Sequence, residues 1–187
     1  MQRPATTPES AVRPKPYRVP EHWIETYLEP RYPDLATPFR RAADATATAL
    51  RDGELDDDTF AGLVRLLDHR STVLRDSVGD LVGRLAAEFP AAMDVVVHRT
   101  RSPLARTRRE ALTWLRHSPP SPTHERVCAA GLLDRSAVVR AQAADNVRYH
   151  GLEALAPVLT EAAGREDDPA TRRTMERALA SVVVPRG

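Results

Sequence analysis

LLDRSAVVRAQAADNV, residues 132–147, reads as a turn followed by a helix. Ser136 is a helix-capping residue type, and Ala143, Ala144 and Val147 follow as an apolar stripe at helical spacing. Arg140 stands four residues after Ser136, in the first turn. There its charge faces the positive end of the helix dipole, an arrangement that costs roughly 0.3–1 kcal/mol. An arginine in such a place calls for a compensating partner, and Asp134 lies six residues before it.

The pattern recurs along the chain. A capping residue with an arginine four positions on gives Thr37/Arg41, Ser71/Arg75, Ser102/Arg106, Ser136/Arg140 and Asp168/Arg172. The arginines are 34, 31, 34 and 32 residues apart, and Pro38, Pro103 and Pro169 follow three of the caps, where proline suits the first helical position. A period in the low thirties marks a helical repeat array. The core phase follows the same count: Val78 and Val82, Ala143 and Val147, Met175 and Leu179 stand three and seven residues after Arg75, Arg140 and Arg172. Two repeats slip. The third fits Arg108 better than Arg106, giving Ala111 and Leu115, and the first fits Arg40, giving Ala43 and Ala47.

A short apolar helix precedes each of these: EHWIETYLE, DTFAGLVRLLDH, AAMDVVVHR, THERVCAAGLLD and LEALAPVLTEAA. Five helix pairs, A then B, therefore fill residues 21–184, with no alternating strand pattern between them. Asp134, Val139 and Arg140 followed by small apolar residues resemble the second helix of a HEAT repeat, and RAQAADNVRYHGLEALAPVLTEA, with Pro157 inside an A helix, resembles the HEAT-like arrays of bacteria. That resemblance implies an all-α, right-handed α-solenoid of about five HEAT-like helix pairs. It also implies that turn aspartates pair with B-helix arginines within and between neighbouring repeats, and Asp34, Asp68 and Asp134 precede Arg40, Arg75 and Arg140 by six or seven residues. Arg75, Asp134 and Arg140 are then structural, and the third repeat departs by placing Arg101 near the aspartate position.

Composition narrows the function classes. The formal net charge is only +1, so the chain lacks the overall basic signature of a nucleic-acid binder. Lys15 is the sole lysine, and Ile24 and Asn146 are the sole isoleucine and asparagine; all three residue types use AT-rich codons, which points to a GC-rich bacterial genome. Cys128 is the only cysteine, so no internal disulfide forms, and no apolar leader or membrane span is legible. A cytoplasmic, monomeric protein is expected. Residues 1–20 hold five of the 16 prolines and few large apolar residues, which reads as a disordered tail.

The densest charge feature is HRTRSPLARTRREALTWLRH, residues 98–117, where six arginines face only Glu110. It offers an anion site with Trp114 as a stacking surface, or simply a solvated arginine-rich face. Residues 51–60 imitate a calcium loop at Asp52, Glu54 and Asp56, but Asp57 and Leu63 occupy the places of its glycine and glutamate. His124 and Cys128 have zinc spacing but no second pair, and Cys128 lies in the apolar VCAAGLL. No phosphate loop, GxSxG or HExxH is present, so neither metal, cofactor nor catalysis is expected.

Two functions follow. The first is a non-catalytic binding module that engages a protein partner through a concave B-helix face, as scaffold, regulator or inhibitor. Its binding residues would be Arg109, Trp114, Arg116, Asp145, Arg148 and Tyr149, a mixture of both charge signs that suits a protein surface. The alternative is a nucleic-acid binder that uses the 99–116 arginine cluster and is related to the HEAT-like alkylpurine DNA glycosylases. Those enzymes place tryptophans and an aspartate on the concave face. Here only Trp23 and Trp114 exist, and Ser118 stands four residues after Trp114 with no aspartate nearby.

Overall fold

The computed structural model describes residues 17–183, and among them every regular element is helical. A first helical segment comprises α1 (Glu21–Trp23), a π-helical stretch (Ile24–Leu28) and α2 (Glu29–Arg31). There follow α3 (Pro33–Asp52), α4 (Asp57–Leu66), α5 (Thr72–Leu85), α6 (Pro90–Arg99) and α7 (Ala105–Trp114), which ends in a 3-10 turn (Leu115–His117). The rest are α8 (Pro122–Leu132), α9 (Ala137–His150), a 3-10 turn (Glu153–Leu155), α10 (Ala156–Arg165) and α11 (Pro169–Val183). No helix among the described residues is long and apolar enough to cross a membrane.

Local chemistry sets most boundaries. Prolines open α3, α6, α8 and α11, where a missing N–H leaves no bond unmade. Asp56, Ser71, Ser121 and Asp168 accept amide bonds from the first turns of α4, α5, α8 and α11. Gly53 and Gly151 stop α3 and α9 with positive φ, a conformation that costs glycine nothing.

The odd-numbered helices pack in series: α3 on α5, α5 on α7, α7 on α9 and α9 on α11. Each of α4, α6, α8 and α10 packs against the helix that follows it, and α8 also meets α10. The core runs through this arrangement. Val78, Val82, Ala111, Leu115, Ala143, Val147 and Met175, counted from their arginines, are all buried, and so is Ala43. Leu179 and Ala47 are only partly buried.

Two expected caps are displaced. Thr37 lies inside α3, which begins at Pro33 and carries Pro38 within it, because Leu35, Ala36 and Phe39 already supply a core-facing stripe. Ser102 does not cap α7, whose N-cap is Leu104; its hydroxyl instead accepts from the Leu104 amide at 3.3 Å. Of the expected tail over residues 1–20, residues 1–16 lie outside the described residues. Residues 17–20 have no regular structure, but Tyr17 and Val19 pack against the core.

Candidate functional site

Arginines at the helix starts separate into fasteners and surface groups. A helical side chain leans toward the N-terminus of its helix, so an arginine in the first turn projects past the helix end and over the preceding turn. Arg75, Arg108, Arg140 and Arg172 all do this, each donating to the carbonyl six residues before it: His69, Ser102, Asp134 and Glu166. The dipole penalty is answered by a backbone acceptor in the turn.

Two of the four continue into the next helix pair. Arg108 grips Asp134 through Nε and Nη2, both at 2.7 Å. Arg140 grips Glu166 in the same bidentate way at 2.6 and 2.7 Å, with the Glu166 side chain fully buried. The hydrogen bonds from Arg140 hold the Glu166 carboxyl below its usual range despite burial. At Asp134 burial works upward but is outweighed by Arg108 and by the Ser136 amide, so its carboxyl is also held low.

Of the two expected arrangements, pairing of each aspartate with the arginine just after it is not the one formed. Asp134 pairs with Arg108 of the preceding helix pair, and Arg140 touches it only through its main-chain oxygen. Asp68 pairs with Arg99 at 3.0 Å, not with Arg75. Arg40 pairs with Glu21 and Glu29 at the surface, not with Asp34. For Arg108 and Arg140 the physical reason is reach: each first-turn guanidinium is drawn over the turn carbonyls, and the carboxylate that meets it enters from the following turn, 26 residues on. Arg40, in contrast, lies two turns into α3 and meets the first helical segment.

Trp114 is corrected as a binding residue. It is 2 % exposed and belongs to the core. Gly79 and Gly83, one turn apart on α5, leave the groove it fills; a Cβ at Gly79 would collide with the Trp114 indole and one at Gly83 with its backbone.

The remaining predicted residues stay near the surface. Arg109 is exposed on α7, and its charge reaches Asp76 on α5. Arg116 lies 6.0 Å from the ring centre of Tyr149, which is 60 % exposed on α9. Asp145 and Arg148 pair along α9 at 3.5 Å. His117, beside Arg116, meets Asp80 of α5 at 3.1 Å. The structure thus brings Arg116 and Tyr149 together across α7 and α9, with both charge signs around them.

Beneath this pair lies a polar cluster that the spacing of His124 and Cys128 alone does not reveal. His124 is fully buried, with Nε2 near Leu115 O and Ser118 Oγ and Nδ1 near Ser121 Oγ. It pins the proline-rich connection to α8 in place. His150 packs edge-on against it at 5.1 Å and against Tyr149 at 5.0 Å. Burial lowers the pKa of both histidines, and at His150 the neighbouring His124 and Arg116 charges add to the effect. Cys128 is a buried thiol pushed up to about 12 by burial, an inert core residue. Among the described residues no group of three or more His, Cys, Asp or Glu side chains could hold a metal.

Sequence reasoning missed Glu166 and Glu110 as buried acids and the Gly79–Trp114 groove. A signal for Glu166 was present: it stands 26 residues after Arg140, as Asp134 does after Arg108. In comparison with known proteins, no family model matches the chain and no curated protein matches it.

Proposed function

We propose that the chain is a HEAT-like, right-handed α-solenoid of about five helix pairs that binds a protein partner, without catalysis, through the face made by α3, α5, α7, α9 and α11. The observation that carries the reading is the exposed Tyr149 beside Arg116 at the α7–α9 junction, with the Asp145–Arg148 pair on the same helix as Tyr149 and the His117–Asp80 contact next to Arg116. Tyrosine and arginine are the residue types in which binding energy concentrates, and a surround of both signs suits a polypeptide surface better than a phosphate backbone. The serial packing of the odd-numbered helices and the repeated arginine-to-carbonyl contact support the solenoid.

Two findings weigh against nucleic acid. Trp114 is buried and offers no stacking face. Arg99 and Arg108, two members of the 99–116 cluster, are engaged by Leu67 O with Asp68 and by Asp134. The test pairs a pull-down from the native host with a DNA titration. Charge reversal at Arg109 and Arg116 together is expected to abolish recovery of a specific partner while the melting curve stays unchanged. Reversal of exposed Arg65 on α4 leaves recovery intact. Equal recovery by wild type and the double variant, or tight DNA binding with a steep salt dependence, overturns the reading.

A further inference from the structure

Twenty-six residues beyond each interlocking arginine stands the carboxylate that receives it, Asp134 from Arg108 and Glu166 from Arg140. The same count from Arg75 lands on Arg101, a cation where the pattern calls for an anion. Arg75 registers the loss. Its Nε is buried without a hydrogen-bond partner and its nearest carboxylate, on Glu110, is 3.7 Å away, whereas Nε of Arg108 and of Arg140 bond at 2.7 and 2.6 Å. A local departure that weakens the fold is a pointer to function.

Arg101 borders a cleft of about 270 Å³ between α6, α7, α8 and the start of α9. Val97, Leu112, Val127 and Val139 give it apolar walls, and Arg126 stands at its rim with Arg101. Asp134 also borders it, but its two oxygens are taken by Arg108 and the Ser136 amide. Among the described residues neither Arg101 nor Arg126 pairs with a carboxylate; Arg126 donates to Thr123 Oγ1 at 3.0 Å. Drug-sized sites occupy roughly 300–1,000 Å³, so this volume suits a smaller molecule.

We propose that the cleft binds a small carboxylic acid with a short apolar body, its tail against the valine walls and its carboxylate at Arg101 and Arg126. Apolar walls drive entry of the tail, and two guanidiniums select the anion over the corresponding alcohol. The proposal stands apart from the partner face, because its charged groups lie before α7 and on α8 and it uses none of the residues around Tyr149.

Titration of the full chain with octanoate, followed by the methyl resonances of Val97, Val127 and Val139, tests it. Octanoate is expected to shift these signals saturably at millimolar concentration or below, with 1-octanol at least tenfold weaker. Arg101→Asp and Arg126→Gln are each expected to weaken octanoate at least tenfold. Arg101→Asp also places a carboxylate where Arg75 lacks one, so it melts no lower than wild type; should it unfold, Arg126→Gln still decides. No saturable shift, equal binding of 1-octanol, or wild-type binding by Arg126→Gln overturns the proposal. Tenfold tighter binding of an N-acetylated dipeptide ending in leucine overturns its assignment to a free acid.

Discussion

Arg140, on the C-terminal side of the molecule, holds buried Glu166 with two bonds of 2.6 and 2.7 Å, whereas Arg75, its counterpart toward the N-terminus, lies 3.7 Å from Glu110. Both arginines reach the carbonyl six residues back, so both are placed alike by their own helices. What differs is the next turn. It supplies Glu166 to Arg140 and Asp134 to Arg108, but Arg101 stands at that place for Arg75. Arg40, further toward the N-terminus, shares its charge with Glu21 and Glu29 at partly exposed sites. Arginine near a helix start therefore fastens strongly only where a buried carboxylate arrives in bidentate geometry.

The largest expected effect is at the buried C-terminal pair. Arg140→Ala leaves Glu166 buried without its partner and is expected to lower stability by about 3 kcal/mol. A melting curve or urea titration measures it, and a loss below that of Arg75→Ala would reverse the comparison.

Acid should also strike the C-terminal side first, and the sign follows from the histidines. Burial lowers the pKa of His124 and His150 from the ordinary 6.5, so the unfolded chain takes up protons that the folded chain resists. Stability is then full above pH 6.5 and falls as pH drops below it. Asp134 and Glu166, with carboxyls held low in the fold, add a second loss below the ordinary carboxylate range. Hydrogen exchange at pH 5.5 is expected to show α8 and α9 opening before α5. His150→Phe, which keeps a ring but removes one titrating group, should flatten the first loss; an unchanged pH profile would remove the histidine pair as its source.

Smaller effects are expected toward the N-terminus. Arg75→Ala removes bonds to His69 O, Arg70 O and Thr72 Oγ1 but no close ion pair, and is expected to lower stability by about 1 kcal/mol. Arg40→Ala, at the surface, should leave the melting temperature unchanged within error. A large loss from Arg40→Ala would show that the first helical segment depends on its contacts with Glu21 and Glu29.

Much of the helical order was legible because the breakers are local. Pro169 acts through its own missing N–H at the start of α11, and the apolar phase from Arg75, Arg108 and Arg140 reports the buried stripe directly. Arg108 in particular was marked by its phase against Arg106, and it is Arg108 that is buried and paired. What could not be read were contacts made by neighbours distant in sequence. Trp114 sits one residue before core Leu115, and only the pair Gly79 and Gly83 on another helix decides that it turns inward. That Asp134 takes Arg108 and not Arg140 was hidden for a related reason. The six-residue separation within one turn is conspicuous in sequence, but the 26-residue reach between turns carries the bond. Arg109, Arg148 and Tyr149 could be picked out singly as exposed positions on α7 and α9, while the approach of Arg116 to Tyr149 depends on how those helices pack.

The most direct measurement is a pair of double-mutant cycles, one on Arg140 and Glu166 and one on Arg75 and Glu110, each read by equilibrium unfolding. The account predicts a coupling of about 2 kcal/mol or more for the bidentate buried pair and below about 0.5 kcal/mol for the pair at 3.7 Å. Equal couplings would contradict it, because the two sides of the molecule would then be fastened alike despite the arginine at position 101.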